Sequence, residues 1–260
     1  MNKILVFILL GLFTTLHSQV KVESAPDTPP VNIGGKKQLD HVIYTQLIVP
    51  PKLIWVDDKL VTIYFTVTKE GKAVDPFFKE TYDTYYQTES KRILNFLLFE
   101  PGKIGGVNVD SYGAITMVFN GEKYKESLKE RKKLKSNFTK PQDSTFIIYE
   151  MADKSPEYYK GDEALPEFIL DNIEYPGVAK TQNIEGTVQL TFIVETNGFV
   201  SNIKAIKGVN AGCTEEAIRV VQLLKWKPAE KNGKYVRYKM TYPITFNLKN
   251  INKDNSNTNQ

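Results

Sequence analysis

One pattern occurs twice in this chain, and that repetition limits the fold more tightly than any other feature. Val61-Thr62-Ile63-Tyr64-Phe65-Thr66-Val67-Thr68-Lys69-Glu70-Gly71 lies over Val188-Gln189-Leu190-Thr191-Phe192-Ile193-Val194-Glu195-Thr196-Asn197-Gly198 at an offset of 127 residues, with Val, Phe, Val and Gly coincident. The offset continues downstream, where Glu89 falls on Glu216, Arg92 on Arg219, Leu97 on Leu224, Pro101 on Pro228, Gly106 on Gly233, Val109 on Val236 and Phe119-Asn120 on Phe246-Asn247. Upstream the offset is 126, and Gly35, Leu39, Ile43 and Pro50 fall on Gly161, Leu165, Ile169 and Pro176. A register held over about a hundred residues predicts two copies of one small domain, too few for a solenoid. The copies are expected at 20–120 and 146–249, with a joining segment at 121–145 and a polar, disordered tail at 250–260.

The amino terminus reads as a secretion signal over residues 1–18: Lys3, an apolar run from Ile4 to Leu16, and Ser18 before Gln19. The thirteen residues of this run at ~1.5 Å each span about 20 Å, short of a ~30 Å hydrocarbon core, so cleavage and release into the periplasm are expected. Leu16 is bulky for its place before the cut, which leaves an inner-membrane anchor facing the periplasm as the alternative. Cys213 is the one cysteine, so no internal disulfide forms and stability rests on packing.

The formal net charge is +4, and the stretch from Gly121 to Lys140 alone carries eight basic residues against three acidic ones. Glu126, Lys129, Glu130 and Lys133 have helical spacing there, which predicts a solvated linker helix. Nucleic acid is excluded as a partner by the export signal.

In the second copy, Ala164, Leu165, Phe168 and Ile169 predict a helix over 162–172 that stops before Pro176. Val188, Leu190, Phe192 and Val194 alternate with polar residues as a half-buried strand, Thr196-Asn197-Gly198 supplies a turn, and Val200 to Ile206 a second strand. Thr214 is placed to cap a helix whose inner stripe is Ala217, Val220, Val221 and Leu224. The last strand, from Tyr235 to Leu248, turns Val236, Tyr238, Met240 and Tyr242 one way and Arg237, Lys239 and Thr241 the other. Pro243 within it marks a sheet edge or a bulge. The fold class is α+β: in each copy, a small antiparallel sheet of about three strands with helices packed on one face.

The second copy resembles the TonB carboxyl-terminal domain family in its Bacteroidetes form. The matching stretches are Ser155-Pro156-Glu157-Tyr158-Tyr159-Lys160-Gly161-Asp162-Glu163-Ala164-Leu165, Asn172-Ile173-Glu174-Tyr175-Pro176, Glu185-Gly186-Thr187-Val188, Glu216-Ala217-Ile218-Arg219-Val220-Val221, Lys225-Trp226-Lys227-Pro228, Asn232-Gly233-Lys234-Tyr235-Val236 and Tyr242-Pro243-Ile244-Thr245-Phe246. The first copy is a degenerate relative, with Val49-Pro50 for Tyr-Pro, Phe99-Glu100-Pro101 for Trp-x-Pro, and Ser111 and Gly113 weakening its last strand.

The resemblance implies a periplasmic domain that pairs a segment of an outer-membrane TonB-dependent transporter with its exposed last strand, in a system driven by an inner-membrane energising complex. The implied contact residues are Tyr175, Pro176, Tyr235, Val236, Arg237, Tyr238, Lys239, Met240, Thr241 and Tyr242. A family transducer carries a long proline-rich spacer, whereas here only Ser24 to Gly35 is available, about 37 Å at ~3.1 Å per residue. An unenergised scaffold that binds another envelope protein or peptidoglycan is therefore the second reading. No enzyme is expected: His41 is the one histidine past the signal, and no nucleophile–base set, metal cluster, cofactor loop or phosphate loop is found.

Overall fold

Apolar side chains at every second position build the central strand of each half, and both strands lie over helices. The computed structural model describes residues 25–49, 58–135 and 140–249. The predicted signal segment 1–18, Pro50 and the tail 250–260 lie outside the described residues. In the first half the elements are β1 (Val31–Asn32), α1 (Gly35–Gln46), β2 (Lys59–Val67), β3 (Ala73–Phe77), α2 (Thr84–Leu94), β4 (Phe99–Glu100), β5 (Gly102–Ile104), β6 (Val107–Val109) and β7 (Ser111–Phe119). Helix α3 (Gly121–Lys135) follows, then β8 (Ile148–Tyr149), β9 (Glu157–Tyr158), α4 (Leu165–Asn172), α5 (Gly177–Thr181), β10 (Gly186–Val194) and β11 (Val200–Lys207). The chain closes with α6 (Cys213–Leu223), β12 (Trp226–Lys227), β13 (Ala229–Lys231) and β14 (Lys234–Phe246).

The first sheet has the order β3-β2-β7 and the second β11-β10-β14-β13, with β8 added beside β14. Val61 pairs with Met117 and Val67 with Ser111. At positions 127 residues later, Val188 pairs with Ile244 and Val194 with Tyr238. The smaller ladders repeat as well: Asn32 pairs with Phe99 and Tyr158 with Trp226, while Gly102 pairs with Val109 and Ala229 with Val236.

An Arg–Glu clamp also recurs. Arg92 grips Glu89 and donates to the Gln46 carbonyl at the end of α1, and Ile48 N donates to Glu89. Arg219 grips Glu216 and donates to the Asn172 carbonyl at the end of α4, and Glu174 N donates to Glu216. Each clamp satisfies a carbonyl that a helix end leaves without an intrahelical partner.

Two apolar clusters form, with no member in common. Val61, Ile63, Phe65 and Val67 pack with Leu39, Val42, Ile93 and Met117. Val188, Leu190, Phe192 and Val194 pack with Ala217, Val221, Trp226 and Phe246. Burial of each large apolar side chain stabilises by about 1.5–3 kcal/mol relative to exposure.

Several expectations need correction. The second sheet is mixed, because β8 runs parallel to β14. The predicted joining segment 121–145 does not stop at the sheet's border, since Pro141 and Asp143 hydrogen-bond the backbone of Tyr235. Helix α3 is not fully solvated: Tyr124, Ser127, Arg131 and Leu134 are buried, with the Arg131 guanidinium over the Tyr124 ring. Thr214 does not cap α6, which begins after Gly212 at φ 89°. Its hydroxyl instead donates to the Val209 carbonyl and accepts from Val209 N. Strand β7, which holds Ser111 and Gly113, is nine residues long. A Cβ on Gly113 would lie 2.9 Å from the Phe65 ring, so the missing side chain makes room for that core aromatic.

Separate clusters lead to a prediction. A fragment from Lys140 to Gln260 should unfold in one cooperative transition, measured by circular dichroism against urea. A broad, non-cooperative loss of signal would show that the halves share one core.

Candidate functional site

Strand β14 is flanked differently along its length. Tyr238 pairs with Val194 of β10 and also with Tyr149 of β8, so those two strands lie on opposite sides of it. Tyr235 pairs with Glu230 of β13 and, on the other side, donates to the Pro141 carbonyl and accepts from Asp143 N. Because backbone groups alternate along a strand, Arg237, Lys239, Thr241, Pro243 and Thr245 also direct theirs away from β10. Pro243 faces Gln189 in the ladder, and its missing N–H removes no bond to β10 because the position faces the other way. Among the described residues no strand pairs with Thr241–Thr245 on that side, and Thr241, Pro243 and Thr245 are exposed. The edge is thus covered from Tyr235 to Lys239 by the chain itself and open beyond.

The covered end is fastened by Arg237, whose side chain is 4% exposed. Nε donates to Glu195 Oε2 at 2.8 Å and Nη2 to Glu195 Oε1 at 2.9 Å. Nη2 also donates to the Phe96 carbonyl, and Nη1 to the carbonyls of Asn95 and Phe146. All five N–H groups of the guanidinium are therefore matched to acceptors from three parts of the chain. Its plane also lies over the Phe96 ring, which meets Phe146 edge-on at 5.0 Å. Ser201 Oγ donates to Glu195 as well.

Side-chain amides complete the seam between the halves. Asn202 donates to the Phe96 carbonyl at 2.7 Å and accepts from Leu98 N at 2.7 Å, as a neighbouring strand would. Asn197, in the predicted turn, pairs amide to amide with Gln46 and donates to the Thr45 carbonyl.

The ten residues expected to meet a partner are divided by this arrangement. Tyr235, Val236 and Arg237 are buried. Tyr238, Met240 and Tyr242 are half-buried on the helix-covered face, whereas Lys239 and Thr241 are exposed on the other. Tyr175 donates to the Ile184 carbonyl at 2.6 Å and sets its ring edge-on to Phe246, while Pro176 opens α5. Residues not singled out from the sequence, Glu195, Asn197, Ser201 and Asn202, carry the seam; their polarity within strand and turn patterns was the available signal. Among the described residues no cluster of three or more His, Cys, Asp or Glu is placed to hold a metal, and no helix is long and apolar enough to cross a membrane.

Residues 171–248 match the family described as the Gram-negative bacterial TonB protein C-terminal. The match spans the end of α4 through β14 and leaves out β8 and the first half. Among solved structures, the Pseudomonas aeruginosa TonB carboxyl-terminal domain is 24% identical, covering 30% of this chain and 81% of that one, with a TM-score of 0.27. The Helicobacter pylori TonB carboxyl-terminal domain is 25% identical, covering 34% and 92%, with a TM-score of 0.26. No curated protein matches.

Removing Arg237 would leave Glu195 buried without its cation. Arg237→Met should therefore cost about 3–5 kcal/mol in urea unfolding, and the added change Glu195→Gln should recover part of the loss.

A second consequence concerns pH. His41 Nε2 lies 3.0 Å from the Val200 carbonyl, which can only accept, so Nε2 carries the proton. Burial, aided by the nearby Lys225 charge, lowers His41 from its ordinary 6.5 to about 4 despite that hydrogen bond. Below 6.5 the unfolded chain takes up a proton that the folded chain refuses. Stability should be full above pH 6.5 and fall toward pH 4 by about 3 kcal/mol, and urea titrations of His41→Asn should lack that component of the slope.

Proposed function

We propose that this chain is an exported, periplasmic TonB-like protein that binds a segment of an outer-membrane TonB-dependent transporter by strand addition to β14. The observation that carries this reading is the open backbone edge from Thr241 to Thr245, which lies inside the stretch matching the TonB family. Unpaired N–H and C=O groups along an edge are a template for an extended chain from another protein. The first half is read as a diverged copy of the same domain, supported by ladders and Arg–Glu clamps that recur 126 to 127 residues apart. In this reading the first half braces the second through Arg237, and the open part of β14 does the binding.

A proline tests the edge where it is free. Thr241→Pro removes an N–H directed away from β10, and Thr241→Ala keeps it. A photocrosslinker at Thr245 in intact cells should capture an outer-membrane transporter in the alanine variant and at least about tenfold less of it in the proline variant. Equal capture by the two folded variants, or capture of no transporter, would sink the reading.

A further inference from the structure

The short strand β8 has the properties of a substitute ligand. It adds to β14 parallel, at Arg237 and Tyr238, beside the stretch of edge that stays open. It is held lightly in itself: Ile148 and Tyr149 are half-buried, and the flanking Ile147 and Met151 are exposed. The firm attachments lie on either side of it: before it the Phe146 carbonyl accepts from Arg237 and the Phe146 ring packs on Phe96, and after it Asp153 N and Lys154 N donate to the Glu230 carbonyl. Just past it, Glu150 meets Lys239 at 2.8 Å in an exposed ion pair. Such pairs hold weakly in water.

What β8 touches also describes what would replace it. Ile148 and Glu150 project to the same face, two residues apart along the strand. Both line a groove of about 600 Å³, together with Ile33 and Leu98 of the first half and Ile193, Lys204 and Lys239 of the second sheet. Its lining joins the apolar Ile33, Leu98 and Ile193 to the cationic Lys204 and Lys239, the last paired with Glu150. Space remains beside the Ile148 and Glu150 side chains, and β14 continues past the groove as open edge.

We infer that Ile148–Glu150 holds the place of a partner segment: an extended protein strand with an apolar side chain followed two residues later by an acidic one. The partner displaces β8, pairs with Arg237–Lys239 and continues along Thr241–Thr245. This rests on reading β14 as the partner edge and adds to it a competitor within the chain and the side-chain pattern that the competitor copies. The first half contributes to recognition, because Ile33 and Leu98 form one wall of the groove.

The test uses the full chain and a labelled synthetic peptide with this chain's own sequence from Thr145 to Ala152. Tyr149→Pro removes the N–H that β8 directs at β14 and should release it; Glu150→Lys, which faces Lys239 with a like charge, serves if the proline variant is unfolded by circular dichroism. The released chain should bind the peptide saturably by fluorescence anisotropy, at least about tenfold more tightly than the unaltered chain. A peptide carrying Glu150→Lys should bind about two- to fivefold more weakly. Hydrogen exchange supplies the site: the Lys239 amide should be protected in the unaltered chain, lose protection on release, and regain it with peptide. Equal binding by released and unaltered chains, or binding that leaves Lys239 unprotected, overturns the inference. Capture at Thr245 in cells is read separately, outside the stretch that β8 covers, so either result can fail while the other stands.

Discussion

The pairing of Arg237 with Glu195 is the interaction on which the arrangement of the molecule depends. A guanidinium is always charged and offers five donors in a fixed plane, so burying it requires acceptors on every side. Here they come from Glu195 just past β10, from the loop after α2 and from the segment before β8. The one geometry that satisfies all five donors is the one in which the halves are docked and the Phe146 carbonyl lies against Arg237. A buried ion pair is a poor source of net stability, since desolvation offsets most of the attraction. Its effect is selective: any displaced docking leaves a charged donor or the Glu195 carboxylate without a partner.

That selection separates two kinds of contact. Within each half, the apolar clusters supply the driving force for folding. Between the halves the contacts are largely polar and directional: Asn197 with Gln46, Asn202 with the backbone at Phe96 and Leu98, and His41 with Val200. Apolar burial tolerates sliding, while hydrogen bonds to buried groups do not. The groove between the second sheet and the first half therefore has defined walls although no shared core holds them together.

The covered and open stretches of β14 meet near Lys239. An edge strand left bare along its whole length invites uncontrolled pairing with other chains. Here the chain covers the end next to the buried Arg237 and leaves open the end where Pro243 costs the sheet no hydrogen bond. Covering with a two-residue strand and an exposed ion pair protects the edge at small free-energy cost and leaves it displaceable.

By itself the sequence determined the main helices and strands of the second half and their order. Alternation at Val61–Val67 and Val188–Val194 sets a strand with one buried face, Pro176 ends a helical run, and the 127-residue offset reappears as identical ladder registers. These are local or periodic signals, set by side-chain polarity against the period of the backbone. Tertiary structure alone decided that Arg237 points into a buried seam, since a charged residue at an outward strand position looks the same whether water or another domain lies opposite. It also decided that Tyr175 pins Ile184 and Phe246, and that residues 141–149 join the second sheet. Strand pairing between segments about ninety residues apart leaves no periodic trace, because β8 is two residues long and its contacts are backbone bonds that any side chain permits.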